Sequence, residues 1–216
     1  MSREWDEIYA AGKQMTLWPW SDLVSAVKRY CANADGNIDG KHVLELGCGP
    51  GANMPFFFQG GADYWGIDAS KAALEAIPTG GIRLMHADFT QQIPNNYEWD
   101  LICDRAAVTH NDTVSIKRCL DMVFEALKPG GYYIGIDWFS WAHGSAHMGV
   151  PVDTFTRTGI PFGQFKDVGT VHFSSMAHMM ELFHRFDVLS LSEKILSEKV
   201  LERERFASWN IIARKP

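Results

Sequence analysis

Apolar and polar positions follow two periods along this chain, and the switches between them mark its elements. In "EWDEIYAA", Trp5, Ile8 and Tyr9 fall at i, i+3 and i+4, one face of a helix. Pro19 in "GKQMTLWPW" disfavours the α conformation at Trp18 and ends that region. Ser21 then reads as the N-cap of a helix over "DLVSAVKRY", which "NADGNIDG" terminates. Residues 1–35 are thus expected to form a helical cap.

From Lys41 onward short apolar runs alternate with helical stripes. "HVLEL" (42–46), "YWGID" (64–68), "IRLMHA" (82–87), "DLICD" (100–104) and "YYIGIDW" (132–138) read as strands. "ANMPFFF", with Pro55 in its first turn, and "SKAALEAI" read as helices. So does "TVSIKRCLDMVFEAL" (113–127), whose stripe is Val114, Ile116, Cys119, Leu120, Val123 and Phe124. "KPGG" is expected to turn the chain before the fifth strand. This alternation predicts an α/β fold, a parallel sheet with helices on both faces. About a dozen residues join the third and fourth strands, the minimum for a crossover.

Residues 139–174 break the rhythm, being rich in Gly, His and aromatic side chains, and read as a lid or substrate loop. "SMAHMMELFHRF" resumes as a helix, and "DVLSLSEKI" and "FASWNIIAR" close the chain as two strands of an antiparallel hairpin. A single domain over residues 1–216 is the expectation, with 1–35 as cap and 139–174 as insertion.

Composition narrows the partners. The 216 residues are 46% hydrophobic and 21% charged, enough for one sizeable core. A net charge of -6 repels a polyphosphate at long range, so no nucleic-acid partner is expected. No apolar run approaches the ~20 residues of a membrane helix, and "MSREWDEIYA" lacks the apolar core of a secretory signal. Cys31, Cys48, Cys103 and Cys119 form no CxxC pair and read as reduced thiols, hence a soluble cytoplasmic protein.

The chemistry gathers at strand ends. "VLELGCGPGAN" (43–53) holds Gly47, Gly49 and Gly51 as GxGxG. It also holds Gly47, Gly49 and Ala52 as GxGxxA, the dinucleotide fingerprint. Glu45 just upstream would repel a pyrophosphate but can orient a cationic ligand. Asp68 closes the second strand, where a carboxylate can accept both hydroxyls of a ribose, in NAD as in other adenosyl ligands. Asp88 closes the third and can meet an adenine amino group, with Phe89 on the ring.

In this order and spacing, "VLELGCGPG", "GIDAS", "HADF", "DLICD" and "LKPGGYYIGID" resemble the class I S-adenosylmethionine-dependent methyltransferases. The resemblance covers about residues 41–138, and the closing strands fit it loosely. It implies a Rossmann-like, seven-stranded, mostly parallel sheet of order 3-2-1-4-5-7-6 with strand 7 antiparallel. It also implies S-adenosylmethionine (SAM) as methyl donor, leaving S-adenosylhomocysteine (SAH). Carried over by position, Glu45, Gly47, Cys48, Gly49 and Gly51 line the methionine and ribose, and Asp68 with Ala69 the ribose hydroxyls. Asp88 and Phe89 take the adenine, and Asp104 and Arg105 the methionine end. Two alternatives stand beside this: an NAD(P)-dependent reductase, which lacks a YxxxK pair here, and a non-catalytic SAM-binding module.

Methyl transfer from a sulfonium rewards positioning and, for a weakly acidic acceptor, a base. His110 in "DRAAVTHND" is the candidate base, although His110-Asn111-Asp112 also reads as the capping region of the next helix. Asp104 is the second candidate catalytic group, and with Arg105 it could instead grip an acidic or hydroxylated substrate. Trp18, Trp20, Trp138, Trp141 and His143 are candidate acceptor contacts; the same aromatics could simply pack the cap onto the domain. No (N/D)PPY follows strand four, against methylation of DNA bases or glutamine amides. No metal is expected: Asp104, Asn111 and Asp112 lack a further acid, and His143 and His147 lack a third ligand. The expected acceptor is a small molecule, a metabolite or sugar precursor, with oxygen ahead of nitrogen or sulfur as the methylated atom.

Overall fold

A computed structural model describes residues 2–78, 83–94, 97–201 and 203–216 of the chain. Five strands come first: β1 (His42–Leu46), β2 (Asp63–Asp68), β3 (Arg83–His86), β4 (Trp99–Arg105) and β5 (Leu127–Phe139). Two more, β9 (Asp187–Leu196) and β10 (Phe206–Arg214), complete a seven-stranded sheet of order β3-β2-β1-β4-β5-β10-β9. The first five pair in parallel and β10 runs antiparallel between β5 and β9. Counting these strands alone, this is the expected order with its last-formed strand reversed. Ile82 of the expected third strand lies outside the described residues.

The helices are α1 (Ser2–Ala10), α2 (Ser21–Tyr30), α3 (Met54–Gln59), α4 (Lys71–Glu75), α5 (Thr113–Ala126) and α6 (Met176–Leu182). β1 is buried without alternation from Val43 to Leu46 because both its faces are covered. Leu44, Leu46 and Ile102 pack with Ile116, Leu120 and Val123 of α5 and with Phe183. Val43, Leu101 and Ile134 pack with Leu23 and Val27 of α2 and with Phe57 of α3. Within the α5 stripe Val114 turns outward and is exposed.

Two local expectations change. Trp20, not Ser21, holds the N-cap position of α2, and its N–H donates to Asn53 Oδ1 at 3.0 Å. Lys128–Gly131 forms no separate turn: β5 begins at Leu127 opposite Trp99, and pairing resumes at Leu101–Tyr132 past a bulge. Gly130 and Gly131 are pinned there by backbone bonds to Lys215.

Residues 139–174 build a small antiparallel sheet of β6 (Val150–Pro151), β7 (Thr156–Thr158) and β8 (Thr170–His172). Strands of two or three residues are too short to show alternation, so the sequence pattern conceals them. This segment has its own apolar cluster of Phe139, Ile160, Phe165, Val171 and Phe173, and Trp5 and Ile8 of α1 pack against it. Cap and insertion therefore share one core. No described helix is long and apolar enough to cross a membrane.

Phe183 is fully buried and meets the rings of Tyr133, Trp138 and Phe186. Phe183→Ala is expected to cost about 3–5 kcal/mol of stability, read from urea unfolding; a loss under about 1 kcal/mol would show that this cluster does not hold α6 to the sheet.

Candidate active site

A cavity of about 400 Å³ opens over the carboxyl ends of β1, β2 and β4, beside the point where the strand order reverses. Its floor is the β1–α3 loop. Gly47 and Gly49 adopt φ of 65° and 53°, the left-handed region that a side chain disfavours. A Cβ on Gly47 would stand 2.3 Å from Ala107 Cβ, and one on Gly49 2.8 Å from Tyr9 Oη. Both positions therefore require glycine on two counts. Gly51 lies off the cavity, against Ile77 and Met54, so its expected place in the lining is corrected.

Asp68 ties this loop to β2. Its Oδ2 accepts from Gly49 N–H and its Oδ1 from Ser70 N–H, each at 2.8 Å. Each oxygen keeps a lone pair, and Asp68, Ala69 and Cys48 line the cavity. Burial raises the Asp68 carboxyl above its ordinary range. Asp88 does not line the cavity: its Oδ1 accepts from Thr90 N–H and Thr90 Oγ1–H at 2.8 and 2.7 Å, capping a turn, while Phe89 reaches the cavity wall.

Glu45 is buried in the wall, accepting from Tyr64 Oη–H at 2.6 Å and Asn53 Nδ2–H at 2.7 Å. Among the described residues no cationic side chain pairs with it. Burial pushes its carboxyl up to about 7, against the lowering effect of those two hydrogen bonds. A buried carboxylate of this kind fits a ligand that brings positive charge, as the sulfonium and ammonium of SAM do, and disfavours a pyrophosphate.

Asp104 overturns its expected role. It is completely buried and absent from the cavity, because its position in β4 turns it to the α5 side of the sheet. Its Oδ1 accepts from Tyr133 Oη–H (2.5 Å) and Trp138 Nε1–H (2.9 Å), and its Oδ2 from the N–H groups of Ala107 and Val108 at 3.0 and 3.2 Å. Four donors leave it nothing for a substrate. Arg105, the next residue, faces the cavity instead. Its guanidinium bonds Asp137 at 2.9 Å and stacks over Trp20 at 3.5 Å, which brings Trp20 into the lining.

His110 sits in a single turn, Val108–His110, and is not a helix cap; Asp112 caps α5 by accepting from Ser115 N–H. Its Nδ1 bonds the Thr170 carbonyl at 3.1 Å, which makes Nδ1 the protonated nitrogen. Nε2 is then an acceptor without a protein partner among the described residues, on a ring that lines the cavity. Burial lowers its pKa to about 4, so the ring is neutral at physiological pH.

The remaining expected acceptor contacts lie elsewhere. Trp18 is exposed, outside the cavity. Trp138 is fully buried under Asp104, since neighbouring β5 side chains point to opposite faces. Trp141 packs on His147 and Phe155. His143 lies behind Phe165 and Phe206, accepting from Ser145 N–H and meeting Gln164. The roof is formed instead by Trp5 and Tyr9 of α1 with Phe139, Gln164, Phe165 and Phe206. The aromatic face of α1 signals the first two; Gln164, Phe165 and Phe206 carry no local signal.

Two outcomes follow from these carboxylates. Asp104→Ala strands four donors, so a loss of about 3–5 kcal/mol is expected in urea unfolding; a near-neutral effect would refute its structural role. For Glu45, folding retains a proton below about pH 7 that a free side chain releases near 4.5. Its stabilising share is full below 4.5 and lost as pH rises through 7. The stability of ligand-free protein relative to Glu45→Gln should fall by about 2–3 kcal/mol from pH 4.5 to 8, and a flat difference would contradict the raised pKa.

A family model described as a methyltransferase domain matches residues 43–131, the span from β1 into β5. No curated protein matches the chain in sequence. Its fold is shared with a SAM-dependent methyltransferase from Methanosarcina mazei, at 18% identity and TM-score 0.69 over 93% of this chain and 99% of that one. A SAM-dependent methyltransferase from Mesorhizobium loti is 20% identical, with TM-score 0.62 over 83% and 93% of the two chains. The 1,6-didemethyltoxoflavin N1-methyltransferase of Burkholderia thailandensis, with bound 1,6-didemethyltoxoflavin and SAH, is 14% identical, with TM-score 0.61 over 97% of this chain and 84% of that one. The domain match covers the glycine loop, Glu45, Asp68 and the β4 end, so this part of the chain is a methyltransferase domain, set in a fold shared with SAM-dependent methyltransferases.

Proposed function

We propose that this methyltransferase acts on a small-molecule acceptor enclosed between α1 and the β6–β8 sheet, with a hydroxyl oxygen as the methylated atom. The observation that carries the reading is His110 Nε2, a neutral acceptor facing the same cavity as the glycine loop and Asp68. SAM held there would supply an electrophilic methyl carbon on a sulfonium, the C–S electron pair returning to sulfur as an acceptor lone pair takes the methyl, so that the product sulfur would be an uncharged thioether.

The chain's own residues supply binding and aim. Asp68 offers its free lone pairs to the ribose hydroxyls, and Phe89 offers its ring to the adenine. Glu45 attracts the positive end of the ligand, and Arg105 the carboxylate of the methionine tail. His110 accepts the hydrogen of the acceptor's hydroxyl and so turns an oxygen lone pair toward the methyl group. A ring with a pKa of about 4 is a weak base, so the proton leaves the oxygen late, as the new bond forms. The four buried, unpaired cysteines support a reduced, cytoplasmic setting.

Calorimetry separates this reading from a nicotinamide enzyme: SAM and SAH are expected to bind and NADH and NADPH are not, and the reverse would overturn it. Asp68→Ala is expected to weaken SAH binding about tenfold or more, a loss of a charge-assisted hydrogen bond. In product assays across an acceptor screen, His110→Ala is expected to lower kcat about tenfold to a hundredfold with SAM affinity intact. An undiminished rate removes His110 from the chemistry.

A further inference from the structure

We propose that the acceptor is a planar aromatic or heteroaromatic molecule without negative charge, carrying a ring hydroxyl or N–H that donates to His110 Nε2. This rests on the methyl-transfer reading above and names the class of molecule that the rest of the cavity selects.

The wall around His110 is a continuous run of rings. Trp5 meets the imidazole edge-on at 4.8 Å between centroids, and Phe139 meets it at 5.6 Å. Phe139 in turn packs against Phe165 at 4.5 Å and Phe206 at 6.4 Å. All of these residues line the cavity, although they come from α1, the end of β5, the insertion and the start of β10. Ring faces and edges brought together in this way reward a flat π system over a saturated one of equal area.

Charge points the same way. Among the described residues the charged groups lining the cavity are Glu45, Asp68 and Arg105. Arg105, paired with Asp137 and stacked on Trp20, is taken by the methionine carboxylate in the reading above, and the two carboxylates belong to the same cofactor end. A carboxylate or phosphate on the acceptor would find no uncommitted cation and would add to the existing negative charge. A sugar is disfavoured for a different reason. Each buried hydroxyl needs a partner, and the polar groups of the ring wall are few: His110 Nε2, the Trp5 indole N–H and the Gln164 amide, one end of which is taken by His143 Nε2 at 3.0 Å. One polar hydrogen on a flat ring matches one free acceptor.

The test is calorimetry on the full chain saturated with SAH, titrated with 2-naphthol, decahydro-2-naphthol and 2-naphthoate. These share a carbon skeleton and differ in planarity or charge. We expect 2-naphthol to bind at least about tenfold more tightly than either of the others. Phe165→Leu and, as a less buried second site, Phe206→Leu should each shrink that preference to about threefold or less while SAH affinity holds. Equal or tighter binding of the saturated or anionic probe overturns the proposal, as does a lack of binding by all three. A protein that takes up no SAH at all fails the methyl-transfer reading itself, before any probe is added.

Discussion

The Asp104 carboxylate sits at the end of β4 with four hydrogen-bond donors around it and, among the described residues, no paired cation. A buried charge in that state is held only by full satisfaction of its lone pairs. The donors come from β5 and from the turn that follows β4, so one group locks three pieces of chain together. Ala107, held by Asp104, closes on Gly47; His110 follows within the same turn. The shape of the cavity floor and the aim of His110 therefore depend on a residue that never touches the cavity.

Around this anchor the backbone is strained where it turns toward the site. Ala106 and Asp137 adopt φ of 50° and 57° without being glycines. Such conformations persist where neighbours over-determine them. Ala106 N–H donates to the Ile136 carbonyl, and Asp137 is gripped by Arg105, Lys194 and Ser208. Burial works to raise the Asp137 carboxyl, but the Lys194 hydrogen bond and the Arg105 charge outweigh it and hold it below its ordinary range. Arg105 is fixed in turn, between that carboxylate and the Trp20 ring.

The roof is fastened from two sides. Asp6 of α1 accepts from Ser70 Oγ–H and Ala72 N–H at the start of α4, next to Asp68. Trp5, one position away, packs into the apolar cluster of the 139–174 insertion. A short helix thus links the Asp68 end of the cavity to the His110 end. Because α1 and the insertion each bury the other's apolar surface, neither is an independent flap.

Along the chain, what was legible is what local chemistry dictates. The seven main strands show as apolar runs, and the glycine loop with Glu45 and Asp68 shows because its residues stand within or beside consecutive strand ends. The sheet order came through resemblance rather than periodicity. His110 was visible as a polar group past β4, and its capping reading fell only when Asp112 was seen capping α5. Asp104, Trp138, Trp141, Trp18 and His143 were misplaced for one reason: residue type says what a side chain can do, whereas strand register and packing decide which way it points. Gln164 and Phe165 were invisible because a single turn carries no period, and Phe206, although it opens a strand that was legible, gave no sign that it reaches the cavity. The sequence by itself determined the sheet, the loop and the kind of donor it suits, since these are set by neighbours in the chain. Only the tertiary structure decided the ring wall around His110, since its rings come from four distant segments and meet only after the sheet has formed.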